Sequence, residues 1–395
     1  MHSLDLIILA GGKGSRVKAL LKNKPKPMAI FNKKPFIEYL IQNYSKYHFK
    51  NIYILGGFKS DQIFKKFEKK NYNCISIKCF KEKKLMGTGG ALNIIKRKKT
   101  NDFILINGDT FLDVDIQKLI KSCSKNSYGS LTLIKNNSYK SNKKLTTMGL
   151  KGKNINYKKK GGLMNGGVYY FKKKIFKYIK NKKISLEDEI LPSLIRNKKI
   201  CGLVVKNSFI DIGTPNNFKR GKKFLLKNFT KPAAFLDRDG VINYDRGYVY
   251  NFKDFKFRPG VIEGLKFLKR KGYYVFIITN QAGIGKGLYT EKQFLKLHNK
   301  LKIKLQKKNI YFDDINFCPY HPNAKIKRYR KVTDLRKPGN LMVKQILNKW
   351  HVKPKNSFMI GDKVTDKMCA QKSKLYFEYA NKNFYTQIKK IVRKI

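Results

Sequence analysis

Short apolar runs recur along this chain and give way, one after another, to glycines and acidic residues. They are Leu4–Leu9, Ile52–Leu55, Phe103–Ile106 and Leu131–Ile134, followed later by Ala233–Leu236, Tyr274–Ile278 and Phe358–Ile360. Runs of three to six residues bounded by turn formers read as buried strands, because a core helix needs more length. Segments with helical spacing, such as Pro35–Tyr47, separate them, and strands alternating with helices imply a parallel sheet flanked by helices. The fold class is therefore α/β. The runs fall into two sets, and between them lies Phe218–Pro232, rich in lysine and free of carboxylates. Pro232 fixes the backbone just before a new strand. A chain of 395 residues exceeds one ordinary core, so two domains are expected, 1–228 and 229–395, with the boundary near Thr230.

Composition narrows the setting. No apolar run approaches the ~18–20 residues of a membrane span, and the start Met-His-Ser-Leu-Asp lacks the basic, cleavable pattern of a signal peptide, so a cytoplasmic protein is expected. Six cysteines (Cys74, Cys79, Cys123, Cys201, Cys318 and Cys369) show no paired zinc spacing and fit reduced thiols. The formal net charge is +64, from 89 Lys and Arg against 25 Asp and Glu. A nucleic-acid site concentrates such charge on one face, whereas here lysine is spread along the whole chain, so no specific nucleic-acid partner and no membrane is expected. The same field attracts phosphorylated small molecules.

In the first set, strand Leu4–Leu9 runs into Ala10-Gly11-Gly12-Lys13-Gly14-Ser15-Arg16. Alone, this is either a plain turn or a loop whose bare amides approach phosphate oxygens, with Arg16 as a fixed cation. Lys24-Pro25-Lys26-Pro27-Met28 adds a rigid lysine, Gly87-Thr88-Gly89-Gly90-Ala91 a second bare backbone, and Asn107-Gly108-Asp109 a carboxylate at a strand end. Ligands of open α/β sheets bind at the carboxyl ends of strands, so Asp109 is a natural Mg²⁺ ligand, with Asp211 of Phe209-Ile210-Asp211-Ile212-Gly213 as its second. Such a pair supports in-line attack of a sugar-1-phosphate oxygen on an α-phosphate with loss of pyrophosphate.

These motifs, in this order and with Asn165-Gly166-Gly167-Val168-Tyr169, resemble the sugar-1-phosphate nucleotidyltransferases over roughly residues 4–225, and among them the heptose-1-phosphate guanylyltransferases. The resemblance implies a Rossmann-like domain with a mixed sheet. It also implies that Gly11, Gly12, Gly14 and Gly89 line the nucleotide, that Arg16 and Lys26 act on the phosphates, and that Gly149 and Asn165 contact the sugar. The family's Phe-x-Glu-Lys stretch reads Tyr157-Lys158-Lys159-Lys160 here, and Lys159 cannot accept a hydrogen bond. Glu187 or Asp188 in Ser185-Leu186-Glu187-Asp188-Glu189 supplies the missing acceptor, or the segment is a solvated helix start capped by Ser185.

In the second set, Ala233-Ala234-Phe235-Leu236-Asp237-Arg238-Asp239-Gly240 puts two carboxylates at a strand end. Asp237 suits a nucleophile that takes up a phosphoryl group, and Asp239 suits the acid and base that serves it. Attack on a phosphate dianion needs a cation between the charges, and Asp362 of Gly361-Asp362-Lys363 would hold it with Asp237 and Asp239. Thr279 and Lys337 would bind phosphoryl oxygens, and Asp366 would stand behind them.

Asp237-Arg238-Asp239-Gly240-Val241, Thr279-Asn280-Gln281-Ala282-Gly283, Cys318-Pro319 and Arg336-Lys337-Pro338 resemble the haloacid-dehalogenase-like phosphatases, specifically the compact heptose-1,7-bisphosphate 7-phosphatase branch, over roughly 232–375. The resemblance implies a compact Rossmannoid domain, with Asn280, Gln281 and Arg336 recognising substrate. Many members carry zinc on Cys-x-His and Cys-x-Cys, but these positions read Cys318-x-Tyr320 and Thr333-x-Leu335, so no zinc is expected. Lys325 to Arg330 is either a distal-phosphate clamp or a solvated basic loop. Both halves thus point to nucleotide-activated heptose synthesis with Mg²⁺ in each, sugar phosphates as substrates and GTP as the nucleotide. Mannose or glucose 1-phosphate with histidinol phosphate is the enzymatic alternative, and a basic nucleic-acid-binding protein the non-enzymatic one.

Overall fold

A computed structural model describes residues 4–98, 101–135, 147–158 and 162–395; Lys159, singled out above, lies outside them. The chain divides into two units, Met1–Tyr44 with Phe49–Leu225, and Leu226–Ile395 with Ser45–His48. The lysine-rich stretch between the two sets of strands is mostly helical, within Pro215–Phe229.

The first unit carries β1 (Leu4–Ala10), the small pair β2 (Ile30–Phe31) and β3 (Lys34–Pro35), β4 (Phe49–Gly56), β5 (Asn71–Tyr72), β6 (Ile75–Lys81) and β7 (Phe103–Asn107). After these come β8 (Thr110–Leu112), β9 (Gly129–Lys135), β10 (Thr147–Lys151), β11 (Asn154–Lys158), β12 (Leu163–Phe171), β13 (Ile200–Val205) and β14 (Phe209–Asp211). Ten of them form one sheet in the order β10-β11-β13-β9-β12-β7-β1-β4-β6-β5. The centre, β7-β1-β4-β6, is parallel as the apolar runs imply. The fourth run departs from a purely parallel sheet, because β9 joins through β12, which is antiparallel to both β7 and β9. An antiparallel neighbour needs no crossover helix. The sheet is mixed.

Its core holds Ile7, Leu55, Phe103, Leu105, Leu131, Tyr169 and Phe171, all sealed from solvent. Each such side chain contributes roughly 1.5–3 kcal/mol by leaving water. The helix Phe36–Ser45 lies within the expected Pro35–Tyr47, and its Tyr44 hydroxyl donates to the Leu112 carbonyl at 2.7 Å. The carboxyl ends of β1, β6 and β7 therefore open on one edge, where ligands of such sheets bind.

The second unit has five parallel strands, β15 (Ala233–Leu236), β16 (Tyr274–Asn280), β17 (Asp314–Cys318), β18 (Phe358–Gly361) and β19 (Tyr376–Tyr379), in the order β17-β16-β15-β18-β19. The winding reverses at β15, leaving a crevice at its carboxyl end. Asp237 is the first residue beyond it. Phe235, Phe276, Ile278, Trp350 and Met359 form the core beneath. The helix Glu291–Gln306 starts at a reciprocal cap, Thr290 with Gln293. Among the described residues no helix is long and apolar enough to cross a membrane.

Candidate active sites

Beyond β1 the chain passes Gly11 and Gly12 along a cavity of about 400 Å³ whose wall also includes Lys13, Lys26, Glu82, Thr88 and Asp109. The short antiparallel pair β8–β14 sets Asp211 opposite Thr110. Asp109 and Asp211 are thus neighbours. Lys26 Nζ lies 2.7 Å from Asp109 Oδ2. Burial, and next the Asp109 carboxylate, push the Asp211 carboxyl up, while Lys26 and Arg16 pull against them. A methyl on Gly213 would meet Asp211, Arg16 and Lys26 together, so these three side chains converge at one place. Two crowded carboxylates with flanking cations suit a divalent ion and phosphate oxygens.

Other expected residues fall elsewhere. Gly14 adopts the left-handed conformation (φ 66°) that starts the next turn, and its Cα faces Leu21 and Lys26, so it shapes the loop rather than lining the cavity. Gly89 donates its N–H to the Ile184 carbonyl at 3.0 Å and packs against Ile190; that amide is spent on the fold, and Gly87 and Thr88 line the cavity instead. Gly149 and Asn165 sit on the neighbouring strands β10 and β12, outside that lining.

The Ser185 segment serves two ends. Ser185 Oγ accepts the Asp188 N–H at 3.1 Å and donates to the Asp188 carboxylate at 2.7 Å, so Asp188 belongs to the helix start. Glu187 turns inward, accepting from Thr88 Oγ1 at 2.5 Å and Tyr169 OH at 3.4 Å, and Tyr169 OH accepts from Asn165 at 2.7 Å. Burial pushes the Glu187 carboxyl up. Sequence reasoning missed Glu82 altogether. Its only signal is its position, directly after β6 and just before the Gly87 loop.

In the second unit Asp237, Asp362 and Asp366 bring carboxylate oxygens within 4.8 Å of one another. Lys337 Nζ stands 2.9 Å from Asp237, 2.5 Å from Asp366 and 3.0 Å from the Ile278 carbonyl. Burial and Asp366 push the Asp237 carboxyl up to about 6 despite Lys337. Burial works to deprotonate Lys337, but Asp237 and Asp366 outweigh it and raise its pKa.

The Asp239 carboxylate is expected among the metal ligands, and the structure surrounds it with hydrogen-bond donors. Arg238 Nη2 (2.7 Å), Asn243 Nδ2 (2.8 Å) and Gln281 Nε2 (3.0 Å) all donate to it, and Asp366 stands with Asp237 and Asp362 in the acidic cluster. Asp239 still lines the cavity, of about 460 Å³, beside Asp237, Thr279, Arg336 and Lys337. Gln281 also accepts the Tyr289 hydroxyl at 2.5 Å and donates to Thr279 Oγ1 at 2.8 Å. Asn280 exchanges hydrogen bonds with the backbone of Lys337, both at 3.1 Å, and so positions that lysine.

None of Lys325 to Arg330 lines the cavity, and Arg330 Nε donates to the Ala324 carbonyl at 2.8 Å. The cations at the cavity wall are Lys286, Arg336, Lys337 and Lys363, with His321 beside them. Cys318 Sγ lies 3.8 Å from the Tyr320 carbonyl, and His321 Nδ1 accepts the Asn323 N–H at 3.0 Å.

A family model described as nucleotidyl transferase matches residues 6–228, more than half of the 395 residues. The chain belongs to that family. Residues 234–390 match a model described as polynucleotide kinase 3 phosphatase, so a nucleotidyltransferase domain is followed by a haloacid-dehalogenase-like phosphatase domain and the chain is an enzyme with both. The chain is 42% identical over 144 residues to the D-glycero-beta-D-manno-heptose-1,7-bisphosphate 7-phosphatase of Photorhabdus laumondii, covering 36% of this chain and 77% of that protein. It is 40% identical over 139 residues to the protein of the same name from Escherichia coli K12, covering 35% and 73%. Among solved structures, HddC from Yersinia pseudotuberculosis is 28% identical, with a TM-score of 0.48, over 56% of this chain and 98% of its own.

Proposed function

We propose that this bifunctional chain converts D-glycero-D-manno-heptose 1,7-bisphosphate to heptose 1-phosphate in its second unit and joins heptose 1-phosphate to a nucleotide, GMP from GTP, in its first. The observation that carries the reading is the 42% identity to a heptose-bisphosphate 7-phosphatase on a chain whose other unit is a nucleotidyltransferase. The product of the one reaction has the 1-phosphate that the other class of enzyme consumes.

In the second unit an Asp237 oxygen bonds to phosphorus as the bond from phosphorus to the C7 oxygen breaks, and Asp239 gives the leaving alkoxide its proton. Water then attacks the aspartyl phosphate, Asp239 takes back a proton, and phosphate leaves with Asp237 restored. Lys337 beside Asp237, with Thr279 on the same wall, binds the phosphoryl oxygens. The Mg²⁺ fit is supported by the Asp362 Oδ1 atom, buried and without a hydrogen-bond partner, next to Asp237 and Asp366. Asp237 and Asp362 would hold the ion, which neutralises charge between carboxylate and phosphate.

In the first unit Asp109 and Asp211 would hold Mg²⁺ against the nucleotide phosphates. Lys26 and Arg16, converging beside them, orient those oxygens for in-line attack.

A substrate panel tests this reading. Heptose 1,7-bisphosphate, histidinol phosphate, hexose phosphates and an oligonucleotide 3′-phosphate are offered with Mg²⁺, and phosphate release is compared as kcat/KM. The bisphosphate is expected to lead by at least tenfold. Preference for histidinol phosphate or for the oligonucleotide would overturn the assignment.

A further inference from the structure

Arg238, wholly sealed from solvent, is the largest fully buried side chain among the described residues. Its guanidinium faces a single carboxylate. Nε lies 3.1 Å from each Asp239 oxygen, and Nη2 lies 2.9 Å from Oδ1 and 2.7 Å from Oδ2. Nη2 also donates to the Val249 carbonyl at 2.7 Å, and the Phe294 ring, on the helix Glu291–Gln306, has its centre 5.5 Å from Cζ. A loop carbonyl and a helix thus fix the guanidinium. Its remaining nitrogen, Nη1, is buried without a hydrogen-bond partner.

As a stabilising device this is a poor arrangement. Burying an ion is costly, a well-packed apolar side chain of similar volume often serves stability as well, and here one nitrogen is left orphaned. What the pair gives instead is orientation. The last torsion of an aspartate is broad and roughly two-fold, so a free carboxylate samples many planes. A planar fork admits one, and a lysine ammonium has no such fork. Asn243 Nδ2, 2.8 Å from Oδ1, and Gln281 Nε2, 3.0 Å from Oδ2, hold the same carboxylate from two further positions. Asp239 keeps 17% of its side chain exposed and lines the cavity beside Asp237. A general acid must bring its oxygen within hydrogen-bond reach of the leaving atom, so the plane in which Asp239 is held governs how well it serves.

Resting on the phosphatase reading of the second unit, we propose that Arg238 is a positioning residue whose fork sets the plane of the Asp239 carboxylate for proton transfer to the leaving oxygen. Arg238 does not itself line the cavity and acts through Asp239.

The test uses two aryl phosphates that differ in their need for a proton: phenyl phosphate, whose phenolate leaves poorly, and dinitrophenyl phosphate, whose phenolate leaves unaided. Rates on the full chain with Mg²⁺ are compared as kcat/KM, which extends only to phosphoryl transfer and leaves out later hydrolysis of the aspartyl phosphate; Asp237→Asn is the blank. Arg238→Met should lower kcat/KM for phenyl phosphate by about 100-fold or more, the worth of a placed general acid, while dinitrophenyl phosphate loses no more than about threefold. A general disturbance of the fold or of metal binding slows both esters alike and cancels in their ratio. Arg238→Lys keeps the buried charge without the fork; it should show the same selective loss to a smaller degree, and it decides the question where the methionine variant folds poorly. Equal losses on the two esters, or no loss on phenyl phosphate, would overturn the role of Arg238 and leave the phosphatase reading standing. An unmodified chain that hydrolyses neither ester would overturn both.

Discussion

Lys337 stands between two buried carboxylates, and its removal would strand both. Breaking a buried ion pair from one side costs about 3–5 kcal/mol, so Lys337→Met should lower the urea midpoint of the second unit accordingly and abolish phosphate release; an unchanged midpoint would show that Asp237 and Asp366 do not depend on this cation. His298 offers a pH prediction. It is 1% exposed, and neither ring nitrogen has a hydrogen-bond partner. Burial, then Arg238 and Lys302, hold it neutral, well below its ordinary 6.5. The unfolded chain takes up a proton near pH 6.5 that the folded one refuses, so stability falls as pH drops below about 6.5, by at most ~1.4 kcal/mol per unit. His298→Leu should lessen the fall of the melting temperature between pH 7.5 and 5, leaving the share due to His48, which burial also lowers, to about 4; an unchanged slope would place the titration elsewhere. Asp237, Asp362 and Lys337 were legible in the sequence because each follows a strand or sits beside a proline in a dense motif. The turning of Asp239 toward Arg238, Asn243 and Gln281 was not, because Gln281 reaches it from another strand.

At the scale of elements, two glycines that look alike in sequence behave differently. A methyl on Gly12 meets nothing within 4 Å, whereas one on Gly89 comes 2.7 Å from Ile190 Cδ1 and 3.2 Å from the Ile184 carbonyl. Gly89→Ala should destabilise the first unit by about 1–3 kcal/mol through overpacking. Gly12→Ala should leave the melting temperature unchanged but raise the nucleotide KM several-fold, because Gly12 lines the cavity proposed for the nucleotide. A stability loss at Gly12 would refute the assignment of that loop to the ligand. The seven strand positions were readable from apolar runs bounded by turn formers. The return of β12 between β7 and β9 was not, since Asn165-Gly166-Gly167 interrupts the apolar pattern of its Leu163–Phe171 stretch and glycine weakens a strand interior. Glu82 escaped notice for a related reason: a lone glutamate among lysines gains meaning only when β6 is seen to end beside Gly11.

Over the whole molecule, a charge of +64 gives every anion an attractive field, so affinity for phosphates alone says little about function. What would separate the proposed enzyme from a general polyanion binder is two reactions performed independently at the two carboxylate-based sites. The decisive measurement is a coupled assay on the full chain with Mg²⁺, following phosphate released from heptose 1,7-bisphosphate and then pyrophosphate released on adding GTP. The expected result is that Asp237→Asn abolishes phosphate release while leaving pyrophosphate release from supplied heptose 1-phosphate, and that Asp109→Ala does the reverse. Turnover that survives both changes, or that both changes abolish together, would contradict two independent sites and with them the central claim.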